Sequence, residues 1–113
     1  MAQTEGYKET SGFGRFDTNE CSMQIYEYRG VVSAAAVAAN TTVEEGFVFT
    51  GVKSTDVLIA VHKPTAQAGL SVGPGRVSSA DTVQLLFENH TAAPITPTGS
   101  QTYKVYVARF TVV

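Results

Sequence analysis

The chain has 113 residues, a formal net charge of -2, 43% hydrophobic and 16% charged residues; this fits one domain with one core and excludes wholesale disorder. Its lysines and arginines stand singly along the chain, without the clustered basic face that phosphate neutralisation needs, so direct nucleic-acid binding is not expected. Cys21 is the only cysteine, which excludes an internal disulfide and a thiolate metal cluster built from one chain.

No apolar run is long enough for a helical membrane span, and Met1-Ala2-Gln3-Thr4-Glu5 lacks the basic and apolar segments of a secretory signal. The expectation is a protein made in a cytoplasm and not held in a membrane. Residues 1–22 intersperse Gly6, Gly12 and Gly14 with Thr, Ser and charged residues, so few adjacent positions could line a core. They are expected to form an extended N-terminal arm, with residues 23–113 as the folded domain. Two arrangements of the arm stay open: its aromatics Tyr7, Phe13 and Phe16 anchor in pockets on a neighbouring molecule, or the segment folds back along its own sandwich.

Met23 to Arg29 sets Met23, Ile25 and Glu27 against Gln24, Tyr26 and Tyr28, the period of a strand that should end at Gly30. Val31 to Ala39 is too short for a self-supporting helix and has no charged solvent face, so it is expected to be extended. Asn40-Thr41-Thr42 marks a turn; it matches a glycosylation sequon, as does Asn89-His90-Thr91, but without secretion the match carries no meaning. From Thr42, the residues Val43, Glu45, Phe47 and Phe49 share one face of a strand. Residues 51–56 turn into Val57 to Val61, five apolar residues in a row stopped by Pro64, which predict a central strand covered on both faces. A loop at 65–69 opens onto a short strand, Gly73-Pro74-Gly75 predicts a tight turn or kink, and Ser78 to Asp81 forms the next turn. Val83, Leu85 and Phe87 then fall on one face of a neighbouring strand from Asp81 to Asn89. An exposed loop at 91–101 leads to a long final strand, in which Tyr103, Val105 and Val107 alternate with Lys104, Tyr106, Ala108 and Phe110. Six to eight strands without an amphipathic helix predict an all-β single domain, a β-sandwich or jelly-roll-like barrel.

Candidate chemistry fails residue by residue. His62 and His90 are not at metal-ligand spacing and are expected to be solvated or hydrogen-bonded. No Gly-x-Ser-x-Gly elbow accompanies the serines. Glu44 and Glu45 would point to opposite faces of a strand and cannot cooperate as a carboxylate pair. Gly12-Phe13-Gly14-Arg15 and Gly73-Pro74-Gly75-Arg76 lack the Gly-Lys-Ser/Thr end of a phosphate loop. No catalytic residue, metal ligand or cofactor is expected, and the chain is not expected to be an enzyme. Tryptophan is absent and the loops are small and polar, which leaves glycan stacking as a second choice. The composition fits a building block whose role lies in its contacts.

The stretch from Val32 to Val107 carries a resemblance, chiefly through Lys63-Pro64-Thr65-Ala66-Gln67-Ala68-Gly69-Leu70 and Arg76-Val77-Ser78-Ser79-Ala80-Asp81-Thr82. It is similar to a group of small tailed-bacteriophage structural proteins; residues 1–30 fall outside the likeness. The resemblance implies a virion component made in the host bacterial cytoplasm, here a head decoration or cement protein on the outer surface of the capsid. Its implied partners are the major capsid protein and itself, as a dimer or trimer, with no nucleic acid and no membrane. The alternatives are a tail or neck component and a host-surface glycan-binding module. Tyr7, Phe13, Phe16, Tyr26 and Tyr28 are the candidate anchors to a neighbour, with core packing as the competing role; Arg76 and the 91–101 loop are added to them.

Overall fold

The computed structural model describes residues 7–10, 13–17 and 21–112, with side chains from 22 to 111. Within them the chain forms eight strands and no helix: β1 (Tyr7–Thr10), β2 (Phe13–Asp17), β3 (Cys21–Val32), β4 (Thr41–Val48), β5 (Val57–His62), β6 (Leu70–Ser79), β7 (Thr82–Asn89) and β8 (Gln101–Val112). They make a five-stranded sheet in the order β1-β2-β3-β8-β5 and a three-stranded sheet in the order β4-β7-β6. All pairings between strands are antiparallel. The fold is an all-β sandwich, in which each sheet hides one face against the other.

Strict alternation dictates the inner faces. Val83, Leu85 and Phe87 of β7 and Tyr103, Val105 and Val107 of β8 are all fully buried. They meet Val32, Phe49 and Val52 in one cluster, against which Tyr28, Phe47, Leu58 and Val61 pack. Phe47 stands edge-on to Phe87, with ring centroids 6.4 Å apart, an arrangement the ring quadrupoles favour. β3 and β8 pair along their whole length, from Cys21 opposite Val112 to Val32 opposite Gln101, a ladder about 40 Å long at ~3.4 Å per residue. That ladder sets the long axis of a molecule measuring 56 × 24 × 22 Å.

Several expectations are corrected. The strand expected to end at Gly30 continues to Val32. Gly30 faces Tyr103 across the ladder, and a Cβ there would come within 2.7 Å of the Val48 carbonyl and 2.9 Å of the Phe49 ring; glycine serves close approach of the second sheet, not a stop. Val57 to Val61 is not a central strand covered on both faces. β5 is the last strand of its sheet, Val57 is 50% and Ile59 45% exposed, and β7 belongs to the other sheet. The register shifts between Leu58 and Ala60, so an extra residue in a bulge lengthens the apolar run without a second core face. Gly73-Pro74-Gly75 lies inside β6, where the register slips between Pro74 and Arg76. This is an outer strand of its sheet, where a missing N–H costs no ladder bond.

The 91–101 stretch is a mostly exposed loop, as expected, and it is pinned at several points. Asn89, only 2% exposed, donates to the carbonyls of Val37 and Ala93 and accepts from the N–H and hydroxyl of Thr91. Ile95 exchanges backbone bonds with Val37, Pro97 is buried, and Gln67 donates to the Thr96 carbonyl while accepting from the Thr98 N–H. With its amide fully engaged, Asn89 presents no acceptor for glycosylation in the folded state. Of the N-terminal segment, the described residues Tyr7–Thr10 and Phe13–Asp17 pair with each other, and Arg15, Phe16 and Asp17 pair with Gln24, Met23 and Ser22.

Candidate functional site

The inner face of the five-stranded sheet is closed at one end by Arg109. Its guanidinium donates to both carboxylate oxygens of Asp56 at 2.8 and 2.7 Å, to the Tyr28 hydroxyl at 2.9 Å and to the Gly51 carbonyl at 3.3 Å. It also lies 4.4 Å from the centre of the Tyr26 ring, within cation–π range. The Asp56 side chain is fully enclosed. Burial alone would raise its carboxyl, but the Arg109 bonds, the Lys53 backbone N–H and the charges of Arg109 and Lys53 together hold it below the ordinary carboxylate range. Hydrogen bonding to Asp56 raises Arg109 in turn.

Tyr26 and Tyr28 therefore sit on the inner-facing side, their rings tilted at 6.3 Å; Tyr26 donates to Gln24 at 2.6 Å and Tyr28 packs on the core. Arg76 is exposed on the other sheet and pairs with Glu44 at 3.1 Å. Tyr7, Phe13 and Phe16 lie outside the described side chains, but the register sets Tyr7 opposite Phe16, Phe16 opposite Met23 and Met23 opposite Phe110.

Those last pairings lead to the outer face of the five-stranded sheet. Residues directly opposite in an antiparallel ladder share a face. Outward, Met23 stands by Phe110; Ile25 by Ala108 and Val57; Glu27 by Tyr106 and Ala60; Arg29 by Lys104 and His62. The first three rows are almost wholly apolar, with Phe110 55% exposed, and the fourth is basic. Arg29 holds Glu27 at 3.0 Å, whereas Lys104 and His62 have no ion-pair or hydrogen-bond partner among the described residues.

The outer face of β4-β7-β6 has the opposite character. Arg76 reaches Glu44, Gln84 donates to Ser78 at 3.1 Å and Ser71 donates to Glu88 at 3.1 Å, so these polar groups satisfy one another, with Val48 exposed at the end of β4. Ser71, Glu88 and His90 bring together the residue types of a hydrolytic triad, but His90 Nε2 faces both Ser71 (3.5 Å) and Glu88 (3.6 Å), and the serine donates to the glutamate. A working triad needs the acid on the other ring nitrogen and the serine donating to the base. The cleft beside it, about 220 Å³ and lined by Asn40, Thr41, Thr42, Asn89 and His90, is open and polar. Among the described residues no cluster of three or more His, Cys, Asp or Glu side chains could hold a metal ion.

Sequence reasoning missed the outer apolar rows and Arg109. Alternation separates Lys104, Tyr106, Ala108 and Phe110 from their neighbours, but only the strand order shows that they adjoin Ile25 and Val57 and that no described strand lies over them. Neither family models, curated proteins nor solved structures offer a match to this chain.

Proposed function

We propose that the chain is a structural virion protein that decorates the outside of a bacteriophage head, attached through the outer face of its five-stranded sheet. The observation that carries this is the contrast between the two outer faces: one dominated by polar groups bonded to one another, with Val48 at its margin, the other carrying exposed Val57 and Phe110 beside half-buried Met23, Ile25 and Tyr106. Apolar side chains grouped on a rigid sheet form the dry centre around which protein contacts are built. The choice of partner follows the resemblance to phage structural proteins read from the sequence. Its motifs lie in residues that shape turns: Gln67 braces the 91–101 stretch, Gly69 takes φ +80°, and Asp81 at φ 64° accepts from the Gly51 N–H.

The mechanism is mechanical. A subunit that binds only the expanded lattice lowers the free energy of that lattice by mass action, and an oligomer matched to local shell symmetry multiplies a modest single-site affinity. The test is sedimentation of purified chain with expanded and unexpanded heads of the phage whose genome encodes it. Binding to expanded heads alone is expected, with an increase in the temperature at which they rupture. Binding to neither, or assembly of the chain by itself into rings or tubes as a tail component would, overturns the assignment.

A further inference from the structure

We infer that the surface seated on this face presents carboxylates beside its own apolar patch, and that Lys104 is the residue that reads them; this rests on the docking face proposed above and names the chemistry of its partner. Lys104 stands between Arg29 and His62 in one cross-strand row, one step along the strand from Tyr106. Like charges set directly opposite one another disfavour the isolated sheet. Glu27 offsets part of this through Arg29, leaving Lys104 without a carboxylate among the described residues.

A second copy seated through the same β3, β8 and β5 rows does not supply one, because on those rows Glu27 is the only acidic residue and it is already engaged. A contact that grows from the apolar rows along β3, β8 and β5 runs onto the basic row, where an acidic neighbour gains and a basic one is repelled.

Two arms test this on the full chain. In the first, wild type, Lys104→Glu and Lys104→Arg are titrated onto expanded heads. Lys104→Glu should weaken binding about tenfold or more and Lys104→Arg should restore it, with affinity falling as salt rises; equal binding by all three overturns the inference while the decoration role stands. In the second, independent of heads, amide shifts are followed with octanoate and with octyltrimethylammonium. The anion alone should move Ile25, Val57, Lys104 and Ala108, and less so in Lys104→Glu. No shift there, equal response to the cationic amphiphile, or tighter capture of a short oligonucleotide than of octanoate overturns it. Failure of wild type to bind heads with a positive octanoate arm removes the phage assignment and keeps the acidic partner.

Discussion

Arg109 ties together pieces of chain that lie far apart in sequence: the 51–56 turn through Gly51 and Asp56, and β3 through Tyr26 and Tyr28. Removing it leaves the Asp56 carboxylate enclosed and unpaired, so Arg109→Ala should lose about 3–5 kcal/mol in urea denaturation. The pH dependence follows from the depressed Asp56 carboxyl. Its contribution is fully present above the unfolded value of about 4 and is lost as pH falls through the lower folded value; in Asp56→Asn, weaker at neutral pH, the acid decline should flatten. Tyr103 behaves in the opposite sense. Its hydroxyl is buried without a partner among the described residues, and burial raises the phenol, so its contribution holds below about pH 10 and is lost as pH rises through the folded value. Tyr103→Phe should stabilise by about 1 kcal/mol, since an unsatisfied polar group leaves the core at constant shape, and should remove the alkaline limb of the melting profile. Tyr26 and Tyr28 show where residue-level inference stopped. Alternation puts both on one face, but whether that face meets solvent or core depends on an arginine 81 positions beyond Tyr28 in the chain.

Between elements, glycine at position 30 decides how closely β4 can approach β3. A methyl group there would collide with the Val48 carbonyl at 2.7 Å. Backbone cannot move aside as a flexible side chain can, so Gly30→Ala should cost about 1–3 kcal/mol, seen as a lower thermal midpoint with faster amide exchange at Phe49. Strands with one inward face, β7 and β8, were legible because Val83, Leu85 and Phe87, and Tyr103, Val105 and Val107, recur every second residue on the buried side before Asn89 and Arg109 end the runs. β5 was not, because five apolar residues in a row describe equally a strand covered twice and an edge strand carrying a bulge. The β1–β2 pairing escaped because its glycines weaken the strand pattern. Pro74 suggested a break, but its strand pairs on one side only.

The molecule as a whole is longer than its residue number implies, with a radius of gyration of 16.6 Å against about 13 Å for a typical chain of this size. Its breadth is two flat faces of unlike chemistry, and they can be probed separately. Phe110→Lys on the apolar side should weaken attachment to heads about tenfold or more, while Ser71→Lys on the polar side should change it by less than about twofold. Both positions are exposed, and surface changes of this kind shift stability by only about 0.5 kcal/mol, so a sedimentation difference between the two variants reports contact and not folding. The satisfied network of Arg76, Glu44, Gln84 and Ser78 then acquires a meaning of its own. A particle clothed in such subunits would show its surroundings mainly hydrophilic groups already occupied with each other, a veneer to which stray proteins and other particles find little to adhere.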